Sequence, residues 1–424
     1  MMRLSYDVQW THASLPFMSR FRYFSLIFPL FTSPHSILLA AMPTPSMLVA
    51  LGFMTLAATG LIVATARRVK QAKRKEIDFL ISRGRREEPK EFFGADQAWK
   101  FPVTGSCVLG GLYLVIKYLP KWVIAYALST YLVVISVTGV AGFMKPFLQG
   151  GRLNVATGTL SWLVGGAYLY TKHWVLNNVL AASISITAME AIPLKTFQTS
   201  AMLLSGLFFY DIFWVFGTDV MVTVAKNIEG PIKILFPQDI LGDHEKKSLL
   251  GLGDIVIPGF FIMQLLRLDM LLAARHRLRS TSAAAGAVAG KAAVSILAAA
   301  NPTKSRYFTV AMVAYTLSLL NTMAVMVIFE AAQPALLYIV PYLLLSAMGY
   351  AAYRGELKML WNYCEDTADL ELADLAPSPD AKTEVDAAAA VPVAPAWYVQ
   401  VADVLLMPFG LDSEARAEAK EKTA

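Results

Sequence analysis

Apolar residues along this chain fall in long, nearly unbroken runs, not in the alternation of a half-buried strand or the 3.6-residue stripe of a soluble helix. Most runs are about 18 to 22 residues long, the length that a bilayer's hydrocarbon core demands of a helix. A helix satisfies its own backbone groups, so it can cross lipid where an open loop cannot. The pattern predicts nine spans, at 46–66, 101–119, 122–142, 155–171, 174–193, 197–218, 248–267, 307–330 and 333–350. The fold class is therefore an all-α polytopic membrane protein, with 46–353 as the membrane domain. Residues 1–45 form an N-terminal extension whose apolar stretch, 23–41, is broken by Pro29, Ser33, Pro34 and His35. That stretch reads either as a signal-like segment or as sequence upstream of a start at Met42. Residues 354–424 form a polar tail rich in Ala, Pro and Asp, expected to be mostly disordered.

Charge orients these spans. Ten Lys and Arg residues crowd the 24 positions from Arg67 to Lys90, so the loop 67–100 is assigned to the cytosol by the positive-inside rule. With nine spans the N-terminus then lies outside and the C-terminus inside. The same count makes the Ala-rich loop 268–306 cytosolic, and it too is basic, with Arg275, Arg277, Arg279, Lys291, Lys304 and Arg306. The loop 219–247 faces the lumen, its lysines balanced by Asp219, Glu229, Asp239, Asp243 and Glu245.

Composition narrows the chemistry. With 56% hydrophobic and 16% charged residues, and a mean hydropathy of +0.51, the chain is too apolar for a water-soluble fold. The net charge of +6 is explained by basic residues beside spans, and no nucleic-acid partner is expected. Cys107 lies in an apolar run and Cys364 in the tail, which supports neither a disulfide framework nor a thiolate metal site. The five histidines include no His-Glu-x-x-His arrangement, so a zinc protease of that kind is excluded; no metal or cofactor is expected.

Two carboxylates break the apolar pattern. A charged group in a span costs about 2.5 to 3.5 kcal/mol on insertion scales, so it normally faces a bundle interior or a water cavity and has a task there. Asp211 lies within Leu207-Phe208-Phe209-Tyr210-Asp211-Ile212-Phe213-Trp214, and Asp254 within Leu250-Gly251-Leu252-Gly253-Asp254-Ile255-Val256. Counted from the outer ends of spans six and seven, they sit seven and six residues deep. At the rise of an α-helix that is about 10 Å and about 9 Å, so adjacent antiparallel helices would bring them face to face. Two facing carboxyls cannot both ionise cheaply. One can then activate water while the other, protonated, polarises a peptide carbonyl. Gly251 and Gly253 leave room beside Asp254 for a substrate backbone or a neighbouring helix. An ion- or proton-coupled transporter or channel is the alternative that such a pair also permits, and a catalytically inert membrane-segment chaperone is a third reading.

The sequence Tyr210-Asp211, then Gly251-Leu252-Gly253-Asp254, then Gln333-Pro334-Ala335-Leu336 resembles the GxGD intramembrane aspartyl proteases, the class of presenilin and signal peptide peptidase. The strings 209–218, 220–226 and 333–338 are most similar to the signal peptide peptidase branch, and the resemblance covers about residues 46 to 353. It implies a presenilin-like fold and an aspartic endopeptidase with Asp211 and Asp254 as the catalytic pair. Pro334, Ala335 and Leu336 would shape the site and position substrate, and Tyr210 would either donate a hydrogen bond near Asp211 or simply pack. The implied partners are signal peptides, type II membrane segments and the lipid bilayer, with a homo-oligomer or an endoplasmic-reticulum quality-control complex left open. Lys420 and Lys422 fit a Lys-x-Lys-x-x retrieval signal on a cytosolic tail, in keeping with the family's residence in the endoplasmic reticulum membrane.

Overall fold

The computed structural model describes residues 45–83, 92–118, 121–144, 151–216, 230–237, 247–284, 306–329 and 334–375. The N-terminal extension, Gln333, Lys420, Lys422 and most of the loops 219–247 and 285–305 lie outside these described residues. Within them run nine helices of 18 residues or more: α1 (Pro45–Arg83), α2 (Ala95–Tyr118), α3 (Lys121–Met144), α4 (Gly151–Thr171), α5 (Trp174–Ala191), α6 (Phe197–Phe216), α7 (Gly253–Ala284), α8 (Arg306–Phe329) and α9 (Leu336–Tyr353). Two short helices follow, α10 (Leu357–Trp361) and α11 (Glu365–Leu375). Five of the helices, α1, α3, α7, α8 and α9, are long and apolar enough to cross a membrane by length and composition. The chain is thus a mostly helical, multi-pass membrane protein.

Two departures from the sequence pattern matter for the site. Residues 248–251, expected to open the seventh span, belong instead to a strand. Strands β1 (Lys233–Pro237) and β2 (Lys247–Gly251) pair antiparallel, from Lys233 opposite Gly251 to Pro237 opposite Lys247. The apolar Leu249-Leu250 that suggested a span is apolar because the hairpin is buried, Leu250 and Ile234 almost completely. Phe236 stacks on Phe53 of α1 at 4.3 Å and meets Trp174 of α5 edge-on. Helix α7 therefore starts at Gly253 and not at 248, so Asp254 is the second residue of its helix, while Asp211 is five residues from the end of α6. The second departure is length. α1 has 39 residues, or about 58 Å of helix, and α7 has 32, or about 48 Å. Much of what the sequence suggested as basic loop is the continuation of a spanning helix.

Contacts sort the helix ends into two groups. At one end lie the hairpin, the start of α5, the start of α7 and the start of α9. There Asn177 donates to the Lys233 carbonyl at 2.7 Å, and Asn178 both donates to the Leu235 carbonyl at 2.7 Å and accepts from its N–H at 2.8 Å. At the other end lie the far half of α1, the ends of α3 and α5, the α5–α6 turn, the far half of α7 and helices α10 and α11. Arg68 pairs with Glu190 of α5 and donates to the carbonyls of Gly142 and Phe143, filling the open C-terminus of α3. Asp269 of α7 accepts from the N–H groups of Tyr307 and Phe308 and so caps α8. Residues 357–375, part of a tail expected to be mostly disordered, form α10, which packs against α9 and α6, and α11, which packs against α1 and α7. Cys364 bridges to Thr196 through the backbone.

Candidate active site

Asp211 and Asp254 come together, one near the end of α6 and the other at the start of α7. Both are buried, at 8% and 5% exposure, and their carboxyl groups lie within electrostatic reach of one another. The hairpin is what aligns them. Leu252 closes it, its N–H donating to the Ile232 carbonyl at 3.0 Å. The Leu252 carbonyl in turn accepts from the N–H groups of Ile255 and Val256. One residue thus ends a strand ladder and starts a helix, and Asp254 is fixed two positions beyond that junction. On its far side Tyr315 of α8, fully buried, donates its hydroxyl to the Asp254 carbonyl at 3.0 Å.

The third motif meets the first through the backbone. Pro334 and Ala335 precede α9, and their carbonyls accept from Leu337, Tyr338 and Ile339, so the first turn of the helix is closed. The N–H of Leu336, at the first helical position, has no carbonyl behind it to bond within the helix. It lies beside the Asp211 carboxyl group. Leu337 and Tyr338 pack with Val325 against Phe208 and Ile212, which lie on either side of Asp211 on α6.

The glycines divide by environment. A methyl group built on Gly253 would meet only the Ile257 side chain, at 3.9 Å, among the described residues, and Gly253 is exposed. Among the described residues no neighbouring helix occupies that space, so helix packing among them does not account for this glycine. Tyr210 packs between α2 and Trp214 of its own helix. Its ring lies 3.7 Å from the position a methyl would occupy on Gly105 of α2, and beside Trp214. Trp214 in turn donates to Ser106 at 3.2 Å. Among the described residues, no group of three or more His, Cys, Asp or Glu side chains could hold a metal ion.

Sequence reasoning overlooked Asn177, Asn178 and Tyr315. The asparagines had a signal, two adjacent amides inside an apolar span, which is costly unless both are bonded. Tyr315 had a weaker one, a single hydroxyl in a long apolar helix. The Leu336 N–H has none, because a backbone donor is invisible in sequence.

Comparison with known proteins agrees with the resemblance drawn from the motifs. Residues 151–367 match the family model described as signal peptide peptidase. Intramembrane protease 2 of Caenorhabditis elegans is 48% identical over 204 residues, which are 47% of this chain and 40% of that protein. The signal peptide peptidases of Mus musculus and Homo sapiens are each 35% identical over 312 residues, 65% of this chain and 75% of theirs. Nothing in these likenesses supports ion-coupled transport.

Proposed function

Because the chain belongs to the signal peptide peptidase family, we propose that it is an intramembrane aspartic endopeptidase whose catalytic groups are Asp211 and Asp254. The observation that carries this reading is convergence: the start of α9 packs through Leu337 and Tyr338 on Phe208 and Ile212 around the buried Asp211, whose carboxyl is within electrostatic reach of the buried Asp254. Three motifs far apart in sequence then serve one site. In the reaction the ionised carboxyl takes a proton from water as the oxygen attacks the peptide carbonyl, and the protonated carboxyl donates to the carbonyl oxygen. The tetrahedral diol collapses as the leaving amine is protonated.

A peptide bond inside a substrate helix is shielded until the helix unwinds. β2 supports an answer to how the unwound segment is held. Among the described residues the sheet has two strands; the outer edge of β1 is occupied by Asn177 and Asn178, whereas β2 runs directly into Leu252-Gly253-Asp254. A substrate segment added along β2 would pass over the open face of Gly253 toward the acids.

Nine spans, a presenilin-like fold, a lumenal N-terminus and a cytosolic C-terminus belong to the same proposal. They are supported by the alternation of helix ends between the two groups of contacts and by the basic residues of α1 and α7 at one of them. Substrates are then type II segments and remnant signal peptides, met in the endoplasmic reticulum membrane. The test is incubation of the detergent-purified protein with a type II signal-peptide substrate. Wild type should cleave it and both Asp211→Ala and Asp254→Ala should not; equal cleavage by all three overturns the proposal.

A further inference from the structure

The bundle end remote from the aspartates holds a cavity of about 500 Å³, within the range of small-ligand sites. One wall is α7, through Leu268, Leu271 and Leu272; Met359 of α10 adds to the apolar surface, and α11 closes the far side. Two cations line it, Arg275 and Lys358, and among the described residues no carboxylate does. Its position is specific. The apolar window of α7 ends at His276, so the leucines lie within the hydrocarbon-compatible stretch and Arg275 at its boundary. An apolar wall capped by cations at that level matches one ligand chemistry: an acyl chain below a phosphate.

We propose that this cavity binds an anionic phospholipid of the adjoining leaflet, its headgroup phosphate held by Arg275 and Lys358 and the upper part of a chain lying on Leu268, Leu271 and Leu272. Guanidinium offers phosphate a two-pronged set of donors, and lysine supplies a point charge. A free phosphate would have the same cations but no use for the leucines, which is why the lipid is the favoured source. Bound there, the lipid touches α7, which carries Asp254, and the turn that follows α9, so the two helices share one ligand at the end opposite the site.

Native mass spectrometry of the full-length, detergent-purified protein tests this with phosphatidylserine, phosphatidylcholine and inorganic phosphate as separate probes. Wild type should retain one phosphatidylserine in preference to phosphatidylcholine. Arg275→Gln and Lys358→Gln should each weaken that retention by about fivefold, the contribution of one cation near a charged lipid surface, while Arg275→Lys keeps most of it. Thr367→Trp, at an exposed position on the cavity wall, should block the lipid without altering charge. Lys358 is also exposed, so neither it nor Thr367 is needed for folding, and size-exclusion profiles of the variants should match wild type. Unchanged retention in Lys358→Gln and Thr367→Trp overturns the proposal, as does equal retention of both lipids, or inorganic phosphate binding that excludes the lipid. The readout is lipid retention, so Asp211→Ala should behave as wild type whatever the outcome for proteolysis.

Discussion

Gly253 and Gly259 stand on the same helix and are glycine for opposite reasons. A methyl on Gly259 would run into the Met189 side chain of α5, so this glycine allows two helices to touch. Gly259→Ala should lower stability by about 1 to 3 kcal/mol, the usual effect of overfilling a packed contact, seen as earlier thermal unfolding in detergent. At Gly253 a methyl would make only an ordinary contact with Ile257 among the described residues, and Gly253→Ala should leave unfolding unchanged to within about 0.5 kcal/mol. Cleavage should nevertheless fall by about ten- to a hundredfold, because a displaced substrate backbone misaligns the reacting atoms. A fully active Gly253→Ala enzyme would sink the idea that substrate occupies that face. Sequence marks Gly253 through its motif with Asp254, yet says nothing of Gly259, because the Met189 it meets is brought there only by the fold.

At the scale of elements, hydropathy located nine helices but misjudged the approach to Asp254. Leu249 and Leu250 are apolar for a hairpin core, and hydropathy alone cannot tell a buried strand from the start of a span. The alternation of Ile234 and Phe236, with Pro237 and Gly251 at the strand ends, was the available signal. The hairpin depends on Asn178, which satisfies both backbone groups of Leu235. Asn178→Ala leaves those groups unpaired in a partly buried place and should cost about 1 to 3 kcal/mol locally. Faster amide exchange at Leu235, together with reduced cleavage and an unchanged core, is the expected pattern. Unchanged exchange would show that the asparagine does not hold the strand.

At the scale of the whole molecule, the same residue can answer to two demands. Lys73 counts in sequence as one of ten positive charges that orient the first span, and nothing in that count distinguishes it from its neighbours. In the structure it is buried, its Nζ 2.9 Å from both Glu365 and Asp369 of α11 and 3.5 Å from Glu76. Arg267 of α7 approaches Glu365 from the other side at 4.0 Å. The cluster ties together helices that start and end the described chain, which is why a stretch that reads as polar tail is ordered as far as Leu375. Charge complementarity over a separation of 292 residues leaves no local pattern to detect. Removing the lysine alone would strand its carboxylates in a buried place, so Lys73→Met should destabilise the protein by about 3 to 5 kcal/mol. Neutralising its partners as well, in Lys73→Met with Glu365→Gln and Asp369→Asn, should recover part of that loss, since well-packed neutral groups replace a buried ion pair at little cost. Thermal unfolding of the two variants separates the cases. If the triple variant is no more stable than Lys73→Met, the lysine acts through its packing and not through its charge. Recovery of stability with cleavage retained would show that this clasp serves the fold and leaves the chemistry to the opposite end of the bundle.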